Sequence, residues 1–155
     1  MTLFDKIRTA SRHRTTYRVG LLQARAYRVL KERMNEALAP HGITSVHWAL
    51  LGLLADQKSM RMREVAEELG VEAPFVTTLV GDLTKREFVT TTPDPHDSRA
   101  KLLSLTDAGI AFVPKTEQEM RAAMRTLVKD VPRGDLVGYL VVLESIVRSD
   151  GELDT

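Results

Sequence analysis

The sequence predicts a mainly α-helical fold that carries one small β-hairpin. Two observations lead to this prediction. Apolar residues recur at helical spacing in several long stretches that end at proline, glycine or polar residues. One segment, residues 88–105, instead places two short strands, Phe88 to Thr92 and Lys101 to Leu105, around a tight polar loop.

Length and composition limit the classes of protein that need to be considered. The chain has 155 residues, which fits one domain with a modest core. Lys and Arg total 22 against 21 for Asp and Glu, so nucleic-acid binding would depend on where the positive charges lie. Cysteine is absent, which excludes disulfides and thiol chemistry within this chain.

No segment predicts secretion or a membrane span. The N-terminus is basic but lacks the apolar stretch of a signal peptide. The longest apolar run, Trp48 to Leu54, is far too short to cross a bilayer. We therefore expect a cytoplasmic protein with no membrane partner.

Six helices are predicted from the apolar spacing. The first helix, Tyr17 to Ala39, ends before Pro40, because proline cannot continue a helix. Thr44 caps the second helix, which is apolar on most sides and is therefore expected at the centre of the core. Pro114 is expected to kink the fifth helix or to delay its start, and residues 149–155 are expected to fray. The predicted bounds of the last five helices are Ser45–Asp56, Met62–Leu69, Ala73–Glu87, Asp107–Asp130 and Arg133–Arg148.

Residues 62–82 have the spacing of two helices joined by a tight turn. Gly70 stands where the turn needs a positive φ, which would strain a residue with a Cβ. The small Ala66 lets the helices approach, and Val76 fills the space between them. This spacing predicts a helix-turn-helix. The alternative is an ordinary helical hairpin with a glycine turn, which the following β-hairpin disfavours.

The outer face of the second of these helices would meet DNA in the major groove. Thr77 and Thr78 can donate to phosphates or touch a thymine methyl group, and Phe75 either packs on such a methyl group or belongs to the core. For each charged residue nearby, a solvated surface position is at least as good an interpretation. The candidates for DNA contact on this helix are Ala73, Pro74, Phe75, Thr77, Thr78, Lys85 and Arg86, and the candidates for phosphate contact before it are Arg61 and Arg63.

Arg99, near the hairpin tip, is the sharpest candidate for DNA contact. A guanidinium at a hairpin tip can enter the narrow minor groove, where the negative potential is strongest. Asp97, two residues earlier on the same side, is expected to orient it through a bidentate ion pair. Asp94 and Pro95 shape the turn, and Lys101 is the other full positive charge of the hairpin.

Three local motifs resemble the MarR family of transcriptional regulators. They are Arg63 to Gly70, Val76 to Leu83, and Asp97-Ser98-Arg99 leading to Leu105-Thr106-x-x-Gly109, of which the last is the most specific. The resemblance implies one domain over 1–155, with a winged helix-turn-helix lobe at about 44–106 and dimerisation helices at about 1–39 and 107–148. It also implies a homodimer whose terminal helices interlock, here through Leu3, Phe4, Ile7, Leu136, Tyr139, Leu140, Leu143 and Val147.

The chain departs from the family pattern on the surface that would meet DNA. Glu72 stands where a serine cap is common, and Thr78 and Asp82 stand where basic residues are common. Glu87 replaces a glycine that often ends the helix, and Thr91 replaces an arginine that often precedes the wing. These changes remove a cap or positive charge, so affinity weaker than typical or an unusual preferred site is expected.

The resemblance also implies a small-molecule effector. Members of the family often bind phenolic or aromatic anions between the dimer core and the DNA lobe. A core position is favoured for most of the residues that would line such a cleft, which are Tyr27, Met34, His41, His47, Trp48 and Phe112. The spacing of the two histidines spans a helix start rather than one helical face, so neither a metal nor another cofactor is predicted.

The sequence thus predicts a regulator that binds double-stranded DNA as a homodimer on an inverted repeat. We expect a repressor that a small aromatic or phenolic ligand releases. A non-specific architectural DNA-binding protein and a winged-helix protein-interaction module with weakened DNA binding stay open as alternatives. An enzyme is not predicted, because no nucleophile–base pair, phosphate-binding glycine loop or carboxylate dyad stands out.

Overall fold

The computed structural model describes residues 15–153 of the chain. Within these residues the chain forms six α-helices, one 3-10 turn and a three-stranded antiparallel sheet, which confirms the predicted fold class. In chain order the elements are α1 (Thr15–Leu38), the 3-10 turn (Ala39–His41), α2 (Ser45–Gln57), β1 (Ser59–Arg61), α3 (Met62–Leu69), α4 (Ala73–Lys85), β2 (Val89–Asp94), β3 (Asp97–Leu105), α5 (Asp107–Leu127) and α6 (Arg133–Leu153).

The first two helices meet at the turn that the sequence predicts. Gly42 has a φ of 66°, and its N–H donates to the carbonyl of Ala39 at 2.9 Å. Thr44 precedes α2 as its N-cap residue. The α2 helix is the centre of the core, because its leucine side chains at 50, 51 and 54 are buried and α1, α3 and the sheet all contact it.

The two helices at 62–85 form the predicted helix-turn-helix. Gly70 has a φ of 61°, and the N–H of Val71 donates to the carbonyl of Ala66 at 3.0 Å. Val65 on α3 and Val76 on α4 are fully buried. The positive φ at the turn and the close contact at Ala66 therefore occur where the spacing predicts them.

The sheet contains a strand that the sequence analysis missed. β1 pairs with β3, so that the strand order is β1-β3-β2 and Met60 lies opposite Leu103. The three residues of β1 are too few to show an alternating pattern, and their partner lies more than 40 residues further along the chain. The hairpin strands are also longer than predicted, since β2 reaches Asp94 and β3 begins at Asp97.

The last two helices differ from the prediction in detail. The α5 helix begins at Asp107 and continues through Pro114, so of the two effects predicted for this proline the delayed start is wrong, and the kink stays a prediction. The hydroxyl of the buried Thr116 lies 3.1 and 3.0 Å from the carbonyls of Phe112 and Val113, so its hydrogen is donated within the same helix. The α6 helix continues to Leu153, beyond the predicted end at Arg148.

The α4 helix ends two residues earlier than predicted because Glu87 has a φ of 61°. The N–H of Phe88 donates to the carbonyl of Leu83 at 3.0 Å, and the N–H of Glu87 donates to that of Thr84 at 2.9 Å. These two bonds form a Schellman motif, whose left-handed residue is usually glycine. A side chain at this position is strained because its Cβ crowds the backbone.

Replacing Glu87 by glycine is therefore expected to stabilise the protein. We expect Glu87→Gly to raise the free energy of unfolding by roughly 1 kcal/mol, measured by denaturant titration. Lys85→Gly, at the last residue of the same helix, is the control and should not raise it, because Lys85 is helical and carries no positive φ. A loss of stability in Glu87→Gly would show that the glutamate side chain contributes more than its backbone conformation costs.

The described residues divide into two compact units, with the boundary between Met124 and Arg125. In the second unit, Leu136 and Leu143 are half-buried, whereas Tyr139, Leu140 and Val147 are exposed. The other predicted dimer contacts, Leu3, Phe4 and Ile7, lie outside the described residues.

Over residues 15–153, no individual helix has both the length and the apolar character to cross a membrane. Two consecutive helices, 17–41 and 45–57, pass that test as a pair but are bent by 80°.

Candidate nucleic-acid interface

The outer face of α4 is exposed where the sequence predicts DNA contacts. Ala73, Pro74, Thr77 and Thr78 are all exposed, whereas the opposite face of the helix is buried. Phe75 is 46% exposed, so the alternative that placed it in the core is wrong. The first two turns of α4 therefore present small, apolar and hydroxyl side chains to solvent.

The two threonine hydroxyls are already occupied as donors. Thr77 Oγ1 donates to the carbonyl of Ala73 at 3.2 Å, and Thr78 Oγ1 donates to that of Pro74 at 3.3 Å. Each hydroxyl carries one hydrogen, so these bonds leave oxygen lone pairs and γ-methyl groups for another molecule. Of the two roles predicted for these threonines, contact with thymine methyl groups agrees better with this geometry than donation to phosphate.

The basic residues around the helix-turn-helix differ in how freely they could reach phosphate. Lys85 is exposed, and its Nζ lies 3.8 Å from Oδ1 of Asp82. Arg63 forms an exposed ion pair with Glu67 at 2.7 Å, a type of pair that holds its partners weakly. Arg86 instead donates from Nη1 to the carbonyl of His41 at 3.3 Å, which directs it toward the turn after α1.

The hairpin tip presents Arg99 to solvent, but Asp97 does not hold its guanidinium. Asp97 Oδ1 accepts the backbone N–H of Arg99 at 3.0 Å. Within residues 15–153 the ion pairs do not include one between these two side chains, so the predicted bidentate pair is wrong. A carboxylate reaches an N–H two residues later through a short Asx turn, which shapes the backbone and not the side chain. Lys101, on the same strand, is also exposed.

An ion pair that sequence reasoning missed ties the tip end of the hairpin, at the last residue of β2, to Arg61 of β1. Asp94, whose side chain is 3% exposed, accepts Nε and Nη2 of Arg61 on Oδ2 at 2.7 and 2.6 Å. Its Oδ1 accepts the N–H of His96 at 2.8 Å, as expected for a residue that shapes the turn. The His96 N–H and then Arg61 hold the pKa of Asp94 below its ordinary value, and the bond to Asp94 raises the pKa of Arg61. Arg61, predicted to contact phosphate, thus ties β1 to the hairpin.

His47 lies on α2 and faces Asp82 on α4, and its side chain is 13% exposed. Its Nδ1 accepts the N–H of Thr44 at 3.2 Å, and its Nε2, 3.8 Å from Asp82 Oδ2, has no hydrogen-bond partner among the described residues. Burial lowers the pKa of His47 below 6.5, Asp82 opposes this shift, and Arg86 adds to it. The folded protein therefore favours the neutral imidazole, which alone can accept the Thr44 N–H.

This geometry predicts that acid weakens the fold through His47. Because the folded-state pKa lies below the unfolded value of 6.5, the unfolded chain takes up the proton first as the pH falls. The contribution of His47 to the free energy of unfolding is therefore fully present above pH 6.5 and decreases below that pH. His47→Gln, whose amide oxygen can still accept the Thr44 N–H, should reduce this decrease when unfolding is measured on both sides of that pH. An unchanged pH dependence would assign it to other groups.

The residues predicted to line a ligand cleft are mostly packed side chains. Met34, Trp48 and Phe112 pack against the core, as the favoured interpretation expects. Tyr27, on α1, is 65% exposed. His41 contacts the ring of Phe112 edge-on, and its Nε2 is hydrogen-bonded to Oε2 of Glu119. Across the described chain, His, Cys, Asp and Glu form no group of three or more that could hold a metal ion.

A cavity of about 350 Å³ lies away from the residues predicted to line the cleft. It is lined by Leu54, Ala55, Lys58, Leu105, Ile110, Val113 and Pro114.

A helix-turn-helix followed by a β-hairpin whose second strand pairs with β1 defines a winged helix-turn-helix protein. Residues 41–100 match the family model described as the MarR family. With the fold and the relatives described next, this match makes the chain similar to the MarR family of transcriptional regulators.

The chain resembles characterised regulators along most of its length. The HTH-type transcriptional repressor NicR from Pseudomonas putida is 25% identical over 135 residues, which cover 87% of this chain and 85% of NicR. The transcriptional activatory protein BadR from Rhodopseudomonas palustris is 29% identical over 130 residues, 81% of this chain and 74% of BadR. The structure of CouR from Rhodococcus jostii RHA1 bound to p-coumaroyl-CoA superposes with a TM-score of 0.77 at 25% identity, covering 83% of this chain and 91% of CouR.

Proposed function

We propose that this regulator binds an inverted-repeat operator as a homodimer and represses transcription. The observation that carries the proposal is the exposed outer face of α4 together with an exposed Arg99 near the tip of a hairpin that Asp94 ties to Arg61 of β1. In such a lobe the helix fits a major groove and the hairpin tip fits the adjacent minor groove. The relative NicR, named as a repressor, supports the sign of regulation.

The proposal of a homodimer rests on uncovered apolar surface. Along α6 the side chains of Val137, Val141, Val142 and Ile146 are all more than half exposed, and Val147 is 73% exposed. Apolar surface of this extent on one helix is normally covered by a partner. A second copy of the chain carries the same surface, and a symmetric dimer would place two lobes on half-sites about one helical turn apart.

We also propose that a small aromatic or phenolic ligand weakens operator binding. The support is CouR, whose structure holds p-coumaroyl-CoA. A ligand that changes the separation of the two lobes would lower the affinity, because both lobes must match their half-sites at once. Loss of operator binding on addition of p-coumaroyl-CoA or p-coumarate is the test. The cytoplasmic location stays a prediction.

The experiment that tests the DNA-binding function is a selection of the purified protein against random duplex DNA at near-physiological salt. Enrichment of a two-fold symmetric motif would support a dimeric, sequence-specific regulator. Retention of DNA without a motif would favour an architectural role instead. A folded, dimeric protein that retains no DNA would overturn the proposal in favour of a protein-interaction module.

A further inference from the structure

We propose that α4 reads its half-site chiefly through thymine methyl groups, which Phe75, Thr77 and Thr78 contact in the major groove. This inference rests on the proposed function and specifies the class of DNA that the protein prefers. It follows from what the exposed face of α4 offers and from what it lacks.

The face lacks the donors that read purines. Guanine offers acceptors in the major groove, and Arg, Lys, Asn or Gln side chains usually bond to guanine or adenine there. The N-terminal residues of a recognition helix are the ones that reach base edges. In α4 these are Ala73 to Thr78, and none of them is Arg, Lys, Asn or Gln. The hydroxyls of Thr77 and Thr78 donate to backbone carbonyls within the helix.

The same face offers apolar groups. Phe75 is 46% exposed, and Thr78 follows it by three residues on the same side of the helix. Thymine is the base that presents a methyl group in the major groove, and Ala, Thr and Phe side chains are the ones that contact it. Burying these groups against each other removes apolar surface from water on both molecules.

The hairpin favours the same base pairs from the other groove. A·T tracts narrow the minor groove and deepen its negative potential, which attracts an arginine such as Arg99. The two contact regions of one lobe therefore both favour half-sites rich in A·T pairs.

The test uses uracil, which pairs as thymine does but lacks the methyl group. Two random duplex libraries, one made with dTTP and one with dUTP, are selected in parallel. We expect thymines in the half-sites of the first library and loss of that motif in the second. Single thymine-to-uracil changes in the selected operator should each lower the affinity about fourfold at contacted positions, the equivalent of about 0.8 kcal/mol per buried methyl group. The same change outside the half-sites is the control.

Matched protein variants separate methyl contact from hydroxyl donation. Thr77→Val keeps a methyl group and removes the hydroxyl, whereas Thr77→Ser does the reverse. Methyl recognition predicts that Thr77→Val keeps the preference for thymine over uracil and that Thr77→Ser reduces it. Phe75→Ala should bring the ratio of the affinities for thymine and for uracil toward one at the base positions that Phe75 contacts. Phe75→Leu should keep part of this preference. A merely structural role of Phe75 would instead lower the affinity for both operators equally.

The outcomes distinguish this inference from the function on which it rests. A symmetric motif bound equally well with thymine and with uracil would overturn methyl recognition and leave the proposed function standing. The opposite response of the threonine variants, with Thr77→Val losing the preference and Thr77→Ser keeping it, would also overturn it. Absence of a motif from both libraries would overturn both proposals together.

Discussion

Gly109→Ala is expected to lower the free energy of unfolding by about 2–3 kcal/mol, because the new methyl group has no room. A Cβ at this position would lie 2.2 Å from the carbonyl oxygen of Phe88 and 3.3 Å from Leu105 Cδ2. The Phe88 carbonyl cannot turn away freely, since it accepts the N–H of Thr106 at 3.0 Å. Thr106 in turn caps α5 by accepting the Gly109 N–H at 3.1 Å, so one glycine lies where the hairpin ends and α5 begins.

The control for this prediction is another helical glycine. A Cβ at Gly52 in α2 would meet nothing within 4 Å, so Gly52→Ala should change stability little or raise it by up to about 1 kcal/mol. Denaturant unfolding of both variants, at equal protein concentration, gives the comparison. Equal stabilities of Gly109→Ala and the unaltered protein would show that α5 does not approach Phe88 as closely as the structure has it.

Arg99→Ala is expected to weaken binding to the selected operator about tenfold or more, since a groove-inserted arginine contributes on the order of 1–3 kcal/mol. Its folding should be unaffected, because Arg99 is exposed and Asp97 bonds to its backbone N–H rather than to its guanidinium. Arg99→Lys keeps the charge but loses the planar guanidinium, so an intermediate affinity is expected. Fluorescence titration of the operator duplex measures all three proteins.

Arg121→Ala is the matched control for charge. Arg121 lies on α5 and pairs with Glu117 at 3.0 Å, so its removal takes away one positive charge outside the proposed interface. Its effect on operator binding should be small. If Arg99→Ala bound as tightly as Arg121→Ala, the hairpin tip would not be in contact with DNA, and the assignment of the wing would be wrong.

Local spacing was enough to predict the helix-turn-helix. Ala66, Gly70 and Val76 lie within eleven residues, and each acts on its immediate neighbours through a close contact, a positive φ or a buried side chain. The exposed arginine of the hairpin was predictable for the same reason, because a polar loop between two short strands places its residues at a tip.

Contacts between distant parts of the chain were not predictable in this way. Arg61 and Asp94 are 33 residues apart, and neither residue has a pattern around it that indicates the other. The same applies to β1, whose three residues are defined by their pairing with β3. The partners of individual carboxylates were equally hard to predict, since a carboxylate bonds to whichever donor the fold brings near. Asp97 accepts a backbone N–H, and Glu119 bonds to His41.

The sequence by itself determined the helical class, the helix-turn-helix, the hairpin and the resemblance to the MarR family, because periodicity, turn chemistry and short motifs act over a few residues. The tertiary structure decided that Phe75 is exposed, that Arg61 fastens the hairpin, that Thr77 and Thr78 donate within their helix, and that Gly109 lies against Phe88. These facts depend on which residues distant in sequence come into contact and on which hydrogen-bond donors remain free. Both are decided only when the helices and strands pack together.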